Sequence, residues 1–189
     1  MTQHVKDRRA VLLAEAASLF RKKGFPRTTV RDIASAVGLQ SGSLFHHFAT
    51  KDDILFAVME DVIAVITENM LDALAETETP RQKVRALIRT ELEAIHGASR
   101  DAMTVLVFEW RHLSPARQKE ILVLRDQYEA LWLTGLAQAA QAGLTVVESF
   151  TLRRLLVGSI SWTVNWFDPD GPMSLDDLAE QILNTALKT

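Results

Sequence analysis

The chain has 189 residues, and its 48% hydrophobic and 24% charged content is that of a folded globular protein rather than a disordered or fibrous one. Cysteine is absent, which excludes disulfides, thiolate metal sites and thiol nucleophiles. The net charge of −3 conceals unlike ends: nine Lys and Arg against three acids give residues 1–51 a charge of +6 and leave −9 on the remainder, so a polyanionic partner is expected at the basic head.

The N-terminal stretch has no apolar h-region and no cleavage site, so no secretion signal is read and a cytoplasmic location is expected. Apolar residues recur at three and four rather than two, so every assignable segment is helical. The first helix, roughly 5–23, buries Leu13, Ala16, Ala17 and Phe20 and stops at Gly24. Thr29 and Asp32 form a capping box that opens a helix ending near Gly38, and a short helix from Ser41 to Phe48 follows. A second box, Thr50 with Asp53, starts a long helix to about Ala75. Thr79-Pro80 and Ser114-Pro115 each place an N-cap before an N1 proline, and His96 to Ser99 reads as a C-cap followed by an N-cap.

The helix from Pro115 is expected to run to Gly143 and the next from about Val146 to Phe167, with Ser174 and Asp177 capping the last. The longest uncharged run, 130–147, holds two Gln, two Thr and two Gly and is too polar to span a membrane. The expected fold is therefore all-α with nine helices, divided into a head over 1–50 and a larger body over 51–189, which the patterns below assign to helix-turn-helix DNA binding and to ligand binding with dimerisation. Residues 155–167 carry no charge on any face, so both sides need cover, and a homodimer through the last two long helices supplies it. Arg153 and Arg154, near that interface, are left to solvent by default.

The most specific pattern lies in 30–49. Ala34 is small where two helices cross, Gly38 accepts positive φ at the turn, and Leu44 with Phe48 locks the second helix onto the first. At 100° per residue, Leu44 and Phe48 turn inward and Gly42, Ser43 and His46 outward, flanked by Phe45 and His47. This small, polar face suits base edges in a major groove, while Gln40, Ser41, Thr28, Thr29 and Lys51 are placed for base or phosphate contacts. A metal site at His46 and His47 is not expected, because adjacent residues diverge and no nearby acid completes a set.

These residues carry a family resemblance. Residues 9–56, with Gly24-Phe-Pro-Arg-Thr-Thr-Val-Arg-Asp-Ile-Ala34 and Gly38-Leu-Gln-Ser-Gly-Ser-Leu-Phe-His-His-Phe-Ala-Thr-Lys51, resemble the DNA-binding head of TetR-family transcriptional regulators. The resemblance implies an all-helical homodimer that represses transcription from a palindromic operator and is released by a small ligand. Phe45 stands where that family usually has Tyr, so a phosphate-contacting hydroxyl is absent and Phe45 is expected to touch sugar or a thymine methyl.

The body carries all four tryptophans and the one tyrosine. Arg125, Tyr128 and Trp132 fall at i, i+3 and i+7, and Trp162 and Trp166 at i and i+4 with Asn165 beside them; these stripes read either as packing or as a pocket. Segments 108–112, 124–132 and 158–175 are similar to the body of TetR-type regulators of fatty-acid and steroid-ring degradation, whose effectors are CoA thioesters. The resemblance implies a slot formed by Leu55, Met59, Ile63, Phe108, Trp110, Trp132, Trp162 and Trp166, with Arg111, Arg125 or Arg100 meeting the nucleotide end. No catalytic residue, cofactor or metal is expected: Gly158 to Trp162 is not a nucleophile elbow, and no phosphate loop or zinc motif occurs. The alternatives are a TetR-like regulator of an unrelated hydrophobic or aromatic ligand, a carrier that no longer binds DNA, and a thioesterase.

Overall fold

The computed structural model describes residues 2–40, 42, 44 and 48–188, the first side chain described being that of Arg8. Eight α-helices are present among them: α1 (Thr2–Lys23), α2 (Val30–Ala36), α3 (Lys51–Ala75), α4 (Pro80–His96), α5 (Arg100–Phe108), α6 (Pro115–Gln141), α7 (Ser149–Trp162) and α8 (Leu175–Ala186). Short 3₁₀ turns follow α5 (Trp110–His112) and α7 (Thr163–Asn165), and no strand occurs among the described residues. Of the expected helix over 41–48, Gly42 and Leu44 are helical, and Phe48 follows with its N–H on the Leu44 carbonyl at 3.0 Å. Ser41, Ser43, Phe45, His46 and His47 lie outside the described residues.

Helix starts follow the capping chemistry. Thr29 accepts from the Asp32 N–H (3.1 Å) while Asp32 accepts from the Thr29 N–H (2.8 Å), and the Thr50–Asp53 and Ser174–Asp177 pairs repeat this arrangement. Thr79 forms a further box with Gln82, ahead of the proline at N1. The 146–167 helix is shorter than expected. Thr145 accepts from the Val147 N–H, and the Glu148 carboxylate accepts from Phe150 and Thr151 at 2.9 Å each, so α7 starts at Ser149. It ends at Trp162 because the Thr163 hydroxyl donates to the Ile160 carbonyl (2.6 Å) and meets His96 Nε2 (2.7 Å), tightening the chain into a 3₁₀ turn.

The chain divides into two compact units, Met1–Val62 with Arg100–Leu124, and Ile63–Ser99 with Arg125–Thr189. In the first, α1 packs on α5 and α2, burying Leu12, Leu13, Ala16, Ala17 and Phe20 together with Ile33, Ala34 and Leu44. Six consecutive residues of α3, Ile54 to Met59, are buried, as expected of a helix covered all round. In the second unit α4 packs on α8 and α7, with Leu87, Ile88, Leu92, Leu156, Ile160, Leu178 and Leu183 at its core. Among the described residues no helix is long and apolar enough to cross a membrane.

Candidate functional site

The helix-turn-helix geometry follows the three marker residues. Ala34 is 1% exposed where α2 is crossed, Leu44 is fully buried, and Gly38 holds φ +68. A Cβ at Gly38 would meet nothing within 4 Å, so the conformation alone, not crowding, calls for glycine. The Leu39 N–H bonds back to the Ala34 carbonyl at 2.8 Å and closes the turn.

The residues read as DNA contacts separate into groups. Thr29, Gln40 and Gly42 are exposed. Thr28 is fully buried, and its hydroxyl donates to the Gly24 (3.0 Å) and Leu19 (3.3 Å) carbonyls, so that hydroxyl serves the turn rather than a phosphate. Lys51 Nζ donates to the Phe25 and Thr28 carbonyls at 2.8 Å each and stands 4.2 Å from the centroid of the Phe25 ring. It pins the 24–29 loop from beneath, a role its spacing in sequence did not announce. Ser41, Ser43, Phe45, His46 and His47 are outside the described residues.

Residues 100–117, in the same unit, hold this head. Arg21 pairs with Asp101, Glu109 accepts from the Phe25 N–H (3.4 Å), and His112 stacks on Phe25 with centroids 5.6 Å apart. Asp52 accepts from the Ser114 amide (3.1 Å) and hydroxyl (2.9 Å), capping α6 from α3, and Asp53 accepts from Arg117 at 2.8 Å. The Arg117 and Thr50 hydrogen bonds hold the Asp53 carboxyl below its ordinary value.

The effector candidates are dispersed. In the first unit Leu55 and Met59 are buried, Trp110 is half-buried, and Phe108 and Arg111 are exposed. In the second, Ile63, Tyr128 and Trp132 are buried, Arg125 lies 3.8 Å from Glu129, and Trp162, Asn165 and Trp166 are exposed. Tyr128 and Trp132 meet around a residue the sequence left to solvent: Arg153 is 1% exposed. Its guanidinium donates to Glu91 (3.1 Å), Glu129 (3.2 Å) and the Tyr128 hydroxyl (3.0 Å) and stacks 4.3 Å from the Trp132 ring centroid. Burial, and then the charge of Glu91, pushes the Tyr128 hydroxyl well above its usual range. Trp132 Nε1 is buried without a hydrogen-bond partner among the described residues. Arg154, by contrast, is exposed and lies over Phe150.

A signal for this cluster existed. Glu91 falls on the apolar stripe of α4 with Val84, Leu87, Ile88 and Ile95, and Arg153 shares its face of α7 with Leu156 and Ile160. A carboxylate and a guanidinium, each on a core face, require one another.

The comparisons agree with this architecture. Residues 12–58 match the head of bacterial regulatory proteins of the tetR family, and residues 77–189 match a tetracyclin repressor-like C-terminal domain. The HTH-type transcriptional repressor KstR2 of Rhodococcus jostii is 32% identical over 98% of this chain and 92% of its own length. The structure of PfiT, described as a superantigen, is 53% identical over 96% of this chain and 97% of its own, with a TM-score of 0.83. AibR, solved with isovaleryl coenzyme A and operator DNA, superposes with a TM-score of 0.85 over 94% of this chain and 97% of its own, and at 23% identity the likeness is one of fold. The chain thus belongs to the TetR family of bacterial regulatory proteins.

Proposed function

We propose that the chain represses transcription as a homodimer on a palindromic operator, with residues 1–50 reading DNA and 51–189 binding an effector and a second copy, and that the effector is a CoA thioester from fatty-acid or steroid breakdown. The supporting observation for the effector class is the resemblance of 108–112, 124–132 and 158–175 to regulators of those pathways; similarity over 95% of the chain to KstR2 of Mycobacterium tuberculosis, described as a ketosteroid transcriptional regulator, supports the steroid part. Within the second unit the reading assigns Ile63, Arg125, Tyr128 and Trp132 to the effector. The dimer face is assigned to α7, where Thr151, Arg154, Leu155, Gly158, Ser159 and Trp162 form one exposed stripe. Gly158 and Ser159 are small enough for a partner helix to approach closely.

Three of the four tryptophans, Trp132, Trp162 and Trp166, lie in the second unit, so intrinsic fluorescence reports mainly on that unit. Purified protein titrated with a panel of acyl-CoA thioesters, with free CoA and free fatty acid as controls, is expected to quench saturably with a thioester alone. The same thioester is expected to weaken binding to an operator duplex. A flat response to every thioester would defeat the effector assignment while leaving the repressor intact.

The 53% identity to PfiT favours one further reading, superantigen activity alongside repression. T-cell proliferation driven by the purified chain is the expected result, and its absence removes this reading.

A further inference from the structure

The first unit contains a cleft of about 760 Å³ that the effector reading does not use. Its volume lies in the range of small-molecule sites. Two helix faces form its walls. Arg8 and Leu12 lie at i and i+4 on α1, and Asp53, Phe56, Ala57 and Glu60 at i, i+3, i+4 and i+7 on α3. Leu39 of the turn, Phe48, Ala49, Arg9 and Arg117 complete the lining.

The charges in this cleft do not cancel. Arg117 donates to Asp53 (2.8 Å) and Glu120 (2.9 Å) and stands 4.3 Å from the Phe56 ring centroid, which satisfies it. Arg9 is within 4.0 Å of Glu60 and 3.5 Å of Asp61. Both lining carboxylates are thereby engaged, whereas Arg8 is exposed and has no ion pair among the described residues. What remains among the described residues is one guanidinium without an ion pair, beside an apolar floor of Leu12, Phe56 and Ala57.

We propose that this cleft is a second ligand site that takes an amphipathic monocarboxylate, its tail against Leu12, Phe56 and Ala57 and its carboxylate on Arg8. Leu39 and Phe48 line the cleft, so a ligand held there touches the head without the body effector.

The test is calorimetric titration of the full-length protein with decanoate and, in parallel, 1-decanol. Decanoate is expected to bind saturably and about tenfold or more tighter than decanol, since a charge-assisted hydrogen bond separates them. Arg8→Ala is expected to bring decanoate down to the decanol level, and Ala57→Phe to abolish binding by filling the floor. Thermal melts identify loss of folding in Ala57→Phe; Arg8, being exposed, is the safer variant, and its result alone decides if the other unfolds. Equal affinity for decanoate and decanol, or decanoate binding unchanged by Arg8→Ala, overturns the proposal. These readouts stand whether or not any acyl-CoA binds the body, so this proposal and the effector assignment fail separately.

Discussion

Arg153 and Trp132 are stacked with the guanidinium carbon 4.3 Å from the ring centroid, and both side chains are almost wholly removed from solvent. The cation keeps its charge there because burial, which lowers its pKa, is outweighed by Glu91, Tyr128 and Glu129. Truncation of one partner strands the others. Arg153→Met is expected to cost roughly 3–5 kcal/mol in urea unfolding, since Glu91 is left buried and unpaired. Arg153→Met with Glu91→Gln is expected to recover much of that loss. A single variant as stable as the parent would mean the network carries no such strain.

Lys51 offers a clean distinction between holding the fold and touching DNA. With Nζ engaged by two carbonyls at 2.8 Å, Lys51→Met is expected to weaken DNA binding by loosening the 24–29 loop. The dependence of affinity on salt should then keep its slope. A direct phosphate contact would instead lower that slope by about one. Anisotropy titrations at four salt concentrations separate the two.

Acid stability should register the α3 start. Asp53 is held below its ordinary value of 3.8, first by Arg117 and then by Thr50. A depressed folded-state pKa gives stabilisation that is present above the unfolded value and is lost as pH falls through the folded one. Asp53→Asn should therefore melt below the parent from pH 5 to 8, by less than about 1 kcal/mol because the pair is partly exposed. The gap should narrow as pH falls below 3.8 and close once the folded-state carboxyl is protonated. A gap that persisted unchanged in acid would place the effect elsewhere.

The exposed α7 stripe makes a prediction about assembly. Leu155 is 62% and Trp162 66% exposed on the single chain. Leu155→Glu puts a charge in the centre of that face and is expected to yield folded monomers by light scattering, with helix content intact. A variant that stays dimeric would move the interface off α7.

Much of the architecture was legible because helix caps are local. Thr29 with Asp32, Thr50 with Asp53, Ser174 with Asp177 and the proline starts at Pro80 and Pro115 all act within one helical turn. α7 starts later than the spacing predicts because Glu148 is an unusual capping residue. It ends earlier than the spacing predicts because the Thr163 hydroxyl meets His96, 67 residues away. Arg153 was hidden for the same reason: its carboxylates lie 62 and 24 residues away in the chain. The turn of the head could be read from Ala34, Gly38 and Leu44, each of which acts through its own size or backbone. The inward role of Lys51 could not, since the carbonyls it binds belong to a loop 23 to 26 residues earlier.

The most direct test of the central claim is selection of bound sequences from a random double-stranded DNA pool by the full-length protein. The account predicts enrichment of a palindrome whose half-sites lie about one helical turn apart, roughly 34–36 Å, as two symmetric heads demand. Enrichment of no sequence, or of a single half-site without its mate, would contradict a dimeric operator-binding repressor.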